Sequence, residues 1–114
     1  MAAAAELLAS MRYFYALDAL AAKLNHEDEN VRQACARAMV VISKNNGAED
    51  AFFKAGAFES KDPHVRYWAV ISTTRVFHDK YKKEIEKLID DNDPEVKRAA
   101  RNARELMHGY PRYN

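Results

Sequence analysis

One short motif occurs three times in this chain and constrains its fold more than any other feature. Each copy has Asp at its first position, then two further residues, then Val and a basic residue. The copies are DENVR at 28–32, DPHVR at 62–66 and DPEVK at 93–97. Successive valines are 34 and 31 residues apart, and a period of roughly 20–50 residues is typical of solenoids, in which similar units stack in a row.

The motif predicts the beginning of a helix. An Asp before a helix can accept hydrogen bonds from the free N–H groups of the first turn. In the second and third copies a Pro follows the Asp, and proline is well suited to the first helical position because no N–H is needed there. We therefore assign a structural role to the motif residues, which are Asp28, Val31, Arg32, Asp62, Pro63, Val65, Arg66, Asp93, Pro94, Val96 and Lys97.

The residues after each Val continue with helical spacing. Positions 3, 4, 7, 8 and 11 after the Val predict one mostly small and apolar face that packs in the core. The second copy interrupts this face with Ser and Thr at 72–74, whose hydroxyls can bond back to the preceding turn. The expected core positions are Ala34, Cys35, Ala38, Met39, Ile42, Trp68, Ala69, Ser72, Thr73, Val76, Ala99, Ala100, Ala103, Arg104 and Met107.

Trp68 stands where the first and third copies have Ala. One interpretation is a volume exchange, in which the large ring fills space beside Gly56 of the preceding helix. The other is an aromatic anchor for a binding partner, because tryptophan is enriched at interaction hot spots. We favour the core position, since the helix around Trp68 is apolar almost all round.

A second helix precedes each copy of the motif, and the three glycines and three prolines of the chain leave little room for strands. The sequence therefore predicts an all-α protein, a right-handed α-solenoid of about three helix hairpins in a single domain, 1–114. The repeats are expected at 3–44, 48–77 and 79–108, followed by a C-terminal tail at 109–114. The helices are expected at 3–24, 29–44, 48–59, 63–77, 79–91 and 94–108.

Two segments, LNHEDENVRQACARAM at 24–39 and IDDNDPEVKRAARNA at 89–103, resemble the HEAT-like repeat of the phycobilisome-lyase type. The segment NGAEDAFFKAGAF at 46–58 is similar, more loosely, to the entry into an armadillo repeat. The resemblance implies that the basic residues at 32, 66 and 97 form a ladder with aspartates of the adjacent turn. It indicates the fold and not a particular function, because such repeats serve many proteins.

The sequence does not predict a catalytic or metal site. None of the four histidines forms a helical pair with another residue of a metal-ligating type, and a closed metal site needs three or four ligands. Cys35 falls on the expected core face, where a thiol behaves as a small apolar group. Neither a glycine-rich phosphate loop nor a nucleophile elbow is present. We therefore expect no catalysis, no metal and no cofactor.

Charge and cysteine content bear on partners and location. Lysines and arginines of the last two helices are interleaved with Glu and Asp, which is typical of solvated helix faces and disfavours nucleic acid. The longest apolar runs are too short for a membrane span, so no membrane insertion is expected. A single cysteine excludes an intramolecular disulfide and indicates an intracellular, reducing compartment, with the cytoplasm favoured.

The function that this pattern favours is a non-catalytic protein–protein interaction module, a small scaffold or accessory subunit of a larger assembly. The alternatives are a nucleic-acid-binding helical-repeat protein and a bilin-lyase-like accessory protein. Positions one, two, five and six after each Val are expected to line a concave face: Arg32, Gln33, Ala36, Arg37, Arg66, Tyr67, Val70, Ile71, Lys97, Arg98, Arg101 and Asn102. The residues expected to contact a protein partner are Tyr67, Arg98 and Arg101, with Tyr110, Arg112 and Tyr113 of the tail.

Overall fold

The computed structural model describes residues 13–43, 48–74 and 80–109. Every regular element in these three segments is helical and none is a strand, which confirms the all-α prediction. The elements are α1 (13–21), α2 (Glu29–Ser43), α3 (Ala48–Lys54), a 3₁₀ helix (Ala57–Glu59), α4 (Pro63–Thr73), α5 (Lys82–Leu88) and α6 (Pro94–Gly109).

Helices α4 and α6 begin at the Pro that follows the Asp of the motif. The Oδ1 atom of Asp62 accepts a hydrogen bond of 2.9 Å from the backbone N–H of His64. The Oδ2 atom of Asp93 accepts one of 3.0 Å from the N–H of Val96. Each carboxylate thus satisfies a first-turn N–H that has no partner within the helix.

Four helices are shorter than the sequence predicts. Helix α4 ends at Thr73, short of the expected residue 77. The backbone tightens after residue 21, where the N–H of Lys23 bonds the carbonyl oxygen of Leu20 in a three-residue turn, so α1 does not reach residue 24. The helix expected at 48–59 is broken at Gly56, whose φ of 73° lies in the left-handed region. Helix α5 spans Lys82–Leu88 rather than 79–91.

Helices α2, α4 and α6 lie side by side in that order, with α4 in the middle. Helix α3 and the 3₁₀ helix pack against α4, and α5 packs against α6. The largest fully buried side chains include Leu17 of α1, Phe52 of α3 and Ile85 of α5, so each preceding helix contributes to one shared core. The right-handed sense of the stack and the repeat boundaries remain predictions.

The expected core face is correct for α6 and rotated in α2. Ala100 and its neighbours on that face are buried, whereas Ala34 of α2 is exposed. Ala36 and Val70, expected on the concave face, are 0% exposed. Both stand five residues after the motif Val, on the side from which the next helix of the row packs. In α6 the same position holds the exposed Arg101, since no described helix follows.

The polar run in α4 bonds locally, which confirms that prediction. The hydroxyls of Ser72, Thr73 and Thr74 donate to carbonyl oxygens three residues earlier, at 2.6, 2.7 and 2.8 Å. The volume exchange between Trp68 and Gly56 is wrong, because a Cβ placed on Gly56 meets no atom within 4 Å. Gly56 is required for its backbone conformation and not for space.

Candidate functional site

A charged ladder joins the turns of successive hairpins. Its first rung is Arg32 of α2, whose Nε donates to Oδ2 of Asp62 at 3.0 Å. The Nη1 atom of the same guanidinium donates to the carbonyl oxygens of His26 and Glu27, at 2.7 and 3.0 Å. Arg32 therefore ties the turn before its own helix to the beginning of α4.

The second rung repeats this geometry between α4 and the turn before α6. Arg66 donates from Nε to Oδ2 of Asp91 at 3.0 Å and from Nη2 to Oδ1 at 2.9 Å, and its Nη1 reaches the carbonyl oxygen of Ser60 at 2.8 Å. The acceptor is Asp91 and not the helix-capping Asp93. Lys97 occupies the equivalent position of α6, which no described helix follows.

The side chains of the two acceptors, Asp62 and Asp91, are only 4% and 9% exposed, and both are ionised. Burial by itself would raise the pKa of Asp62, but hydrogen bonds from the His64 N–H and the Arg32 guanidinium outweigh it and lower the pKa below the ordinary value. The pKa of Asp91 is lowered in the same way, because hydrogen bonds from Arg66 and the Asp93 N–H outweigh its burial. The ladder therefore holds its charge at neutral pH.

One surface of the row formed by α2, α4 and α6 carries side chains that are exposed or half-buried, and we call it the inner face. Its centre, on α4, is apolar, and the Tyr67 and Trp68 rings meet edge to face with centroids 5.2 Å apart. Exposed arginines, Arg37 and Arg98, lie on the helices to either side. The inner face consists of Asn30, Gln33, Arg37, His64, Tyr67, Trp68, Ile71, Glu95, Arg98 and Asn102.

The structure brings together only some of the residues that the sequence predicts for partner contact. Tyr67 and Arg98 share the inner face, where Arg98 makes an exposed ion pair of 2.8 Å with Glu95. Arg101 does not belong to it, because its guanidinium turns to the carbonyl oxygen of Ile89 and to Asp90, at 2.9 and 3.1 Å. The tail residues Tyr110, Arg112 and Tyr113 lie outside the described residues.

The sequence does not predict a second set of hydrogen bonds that joins two hairpins. The Tyr81 hydroxyl donates to Oδ1 of Asp50, and Lys80 Nζ reaches the same oxygen at 2.8 Å. The Tyr81 ring also stacks on Phe58, with centroids 5.7 Å apart. Burial and the Asp50 carboxylate raise the pKa of Tyr81, so the phenol stays protonated. Tyr81 follows Asp50 by 31 residues, which is the only sequence signal for this contact.

Other kinds of site find no support in the part of the chain that the structure describes. No three His, Cys, Asp or Glu side chains of the described segments are grouped so that they could hold a metal ion. Within those segments, no helix has the length and apolar character needed to cross a membrane. A groove of about 710 Å³ runs between the turns of the second and third hairpins, and its lining carries charges of both signs, among them Glu59, Lys61, Glu84 and Lys87.

The comparisons with known proteins agree with this geometry. The family model of the HEAT repeat matches residues 16–45, the segment that contains most of α1 and α2. No curated protein and no solved structure matches the chain significantly. Residues 16–45 therefore contain a HEAT-like repeat, and the described residues fold as an all-helical protein. HEAT repeats are generally protein-interaction scaffolds and are typically non-enzymatic.

Proposed function

We propose that this protein is a non-catalytic protein-interaction module, a small scaffold or accessory subunit, and that it binds a protein partner on the inner face. The observation that carries the proposal is the placement of three half-buried apolar side chains, Tyr67, Trp68 and Ile71, at the middle of that face. Exposed arginines stand on both sides of them. A rigid apolar centre with a charged rim is the common composition of a protein-binding patch.

The centre of the inner face is suited to bind without a large ordering cost. Tyr67 and Trp68 already pack on the core and hold each other edge to face, so their rotamers are fixed before a partner arrives. Tyrosine, tryptophan and arginine are also the residue types most enriched among binding hot spots. We infer that the partner inserts an apolar side chain between these rings and the Ile71 side chain.

The rim of the inner face indicates the charge of the partner. Arg37 is exposed on α2, and Arg98 is exposed on α6 in an ion pair whose two side chains are 74% and 61% exposed. Such a pair contributes little to stability, and its arginine can exchange Glu95 for a carboxylate of the partner. The expected partner segment therefore carries acidic residues on both sides of its apolar anchor.

Affinity purification with paired variants tests the proposal. Wild-type protein and Tyr67→Ala are each used to retain proteins from native lysate, which are quantified by mass spectrometry; Lys83→Ala on the exposed side of α5 is the matched control. The expected result is at least one partner reduced roughly tenfold or more by Tyr67→Ala and unchanged by Lys83→Ala. Melting curves verify that each variant is folded. Equal retention by all three proteins would exclude the inner face.

The tail and the alternative functions have tests of their own. The proposal includes a second contact through Tyr110, Arg112 and Tyr113. Deletion of 110–114 is expected to weaken association and leave the melting temperature unchanged. A nucleic-acid-binding protein would instead show affinity for RNA or DNA that falls steeply with added salt. A bilin-lyase-like protein would change the absorbance of an added bilin.

A further inference from the structure

Helix α2 has an apolar side that faces away from α4, and we call it the N-terminal flank. It consists of Val31, Ala34, Ala38 and Val41. The same repeat positions of α6 hold Val96, Ala99, Ala103 and Leu106. The first three positions are identical in the two helices, Val, Ala and Ala, and the fourth is Val41 in α2 and Leu106 in α6.

The two sets differ sharply in burial. On α6, Val96, Ala99 and Ala103 are 0%, 7% and 3% exposed, and both α4 and α5 pack against this helix. On α2, Val31 and Ala38 are half-buried, Ala34 is exposed and Val41 is 60% exposed. The flank of α2 therefore carries nearly the same residue types as the buried face of α6, but the described helices cover it only in part.

The first hairpin also holds most of the large apolar side chains that the described residues leave exposed. Phe14 and Tyr15 of α1 are 58% and 70% exposed, and Ile42 of α2 is 37% exposed. Apolar surface concentrated in one part of a molecule is more informative than single exposed residues, because it marks interaction sites. The charged ladder gives an independent indication of what covers it.

The ladder has an acceptor at the beginning of α2 that receives no arginine. Asp62 is bonded by Arg32 and Asp91 by Arg66, each arginine coming from the preceding hairpin. Asp28 corresponds to Asp62, the helix-capping acceptor of the first rung, and its Oδ1 accepts only the N–H of Asn30, at 2.9 Å, among the described residues. This rung would be completed by an arginine from a helix lying on the N-terminal flank.

A second copy of this chain does not fit as the source of that helix. The side of α6 that points away from α4 carries Lys97, Arg101 and Glu105. On α4 the corresponding residues are Arg66, Val70 and Thr74, of which Val70 is 0% exposed. Stacking one copy on the next would bury the Arg101 guanidinium against alanines and remove it from Asp90, and burying an unpaired charge is strongly unfavourable.

We propose that the N-terminal flank is a docking surface for the end hairpin of another helical-repeat protein. The docking helix presents an arginine to Asp28 and, four residues later, a small or β-branched apolar side chain to Ala34. The docking helix therefore resembles, in its residue types, the side of α4 that packs against α6. This site is separate from the inner face, and either can be correct without the other.

The chain itself supplies a probe for this proposal. The triple variant Lys97→Arg, Arg101→Val and Glu105→Thr gives α6 the residues with which α4 covers the next helix. Sedimentation equilibrium is then measured for the full chain. The wild type is expected to be a monomer of 13.0 kDa. The triple variant is expected to associate head to tail into species of at least twice that mass.

Changes on the N-terminal flank supply the controls. Ala34→Glu in the triple variant is expected to restore the monomer, because it places a charge where the helices meet. Asp28→Asn should weaken association at least about tenfold, since the arginine loses its charged acceptor. The second change leaves the apolar flank intact, so it keeps the proposal testable if Ala34→Glu impairs folding.

Three results would overturn the proposal. The first is a triple variant that sediments as the wild type does, or whose association is unaffected by Ala34→Glu and by Asp28→Asn. The second is a wild-type dimer that Ala34→Glu dissociates, which would assign the flank to a second copy. The third is a triple variant that associates only after residues 2–12 are deleted, which would assign the flank to the chain's own N-terminal segment.

Discussion

Replacing Arg66 with Ala tests the ladder most sharply. The Arg66 and Asp91 side chains are only 14% and 9% exposed, and two hydrogen bonds of 3.0 and 2.9 Å join them. Removing one partner of a buried ion pair costs about 3–5 kcal/mol, since the other charge stays buried. Asp91 retains the N–H of Asp93 as a donor, so we expect a loss of roughly 2–3 kcal/mol.

Urea denaturation followed by circular dichroism at pH 7 measures this loss. In a separate thermal denaturation, the melting temperature should fall by roughly 8–15 °C, as expected for a domain of this size. Arg98→Ala is the matched control, because the ion pair of Arg98 with Glu95 is exposed and should contribute less than about 0.5 kcal/mol. If Arg66→Ala and Arg98→Ala destabilise equally, the ladder does not hold the hairpins together.

Three further predictions concern stability. Ala100→Glu should unfold the third hairpin and cost at least about 3 kcal/mol by the same denaturation assay, because Ala100 is 0% exposed; a small change would contradict the packing of α6. Gly56→Ala should cost about 1 kcal/mol, while D-Ala introduced by chemical synthesis should cost nothing, since φ is 73° and the space is open. The lowered pKa values of Asp62 and Asp91 mean that their ionised forms contribute stability above about pH 4, and that this contribution is lost as the pH falls through the lowered values. Urea midpoints between about pH 2 and pH 6 should therefore fall on the acid side, less steeply in Arg66→Ala; parallel curves for the two proteins would contradict the assignment of Asp91.

The sequence predicts the helical elements well because the signals are local. An aspartate before proline caps a helix by accepting a hydrogen bond from a backbone N–H of the first turn. Asp62 and Asp93 do this at the beginning of α4 and α6. The hydroxyls at 72–74 likewise bond three residues back within the helix. The sequence predicts a helix to residue 59, whereas α3 ends at Lys54. A glycine such as Gly56 in a helical pattern can either continue the helix or end it.

The packing faces could not be predicted from one repeat alone. The fifth residue after the motif Val is buried in α2 and α4, where it is Ala36 and Val70, and exposed in α6, where it is Arg101. Burial at this position depends on the neighbouring hairpin, which is a tertiary effect. The hydrogen bond between Tyr81 and Asp50 could not be predicted for the same reason, since the two residues are a whole repeat apart.

Of the residues predicted to contact a partner, only some lie on the inner face, and the sequence does not indicate which. Tyr67 and Arg98 belong to successive repeats but share one face, because both stand two residues after a motif Val. Arg101 is only three residues from Arg98, and its side chain bonds to the turn before its own helix. The direction of a long side chain is set by its hydrogen-bond partners, which the spacing of residues does not reveal.

Site-specific photo-crosslinking tests the central claim, that the inner face binds a protein, most directly. Tyr67 is replaced by p-benzoylphenylalanine, the protein is irradiated in native lysate, and covalent adducts are identified by mass spectrometry; the same residue in place of Lys83 on α5 is the control. Binding at the inner face predicts a discrete protein adduct from position 67. The adduct should be absent from position 83, and excess wild-type protein should reduce its yield. Adducts from position 83 alone, or the same adducts from both positions, would contradict it.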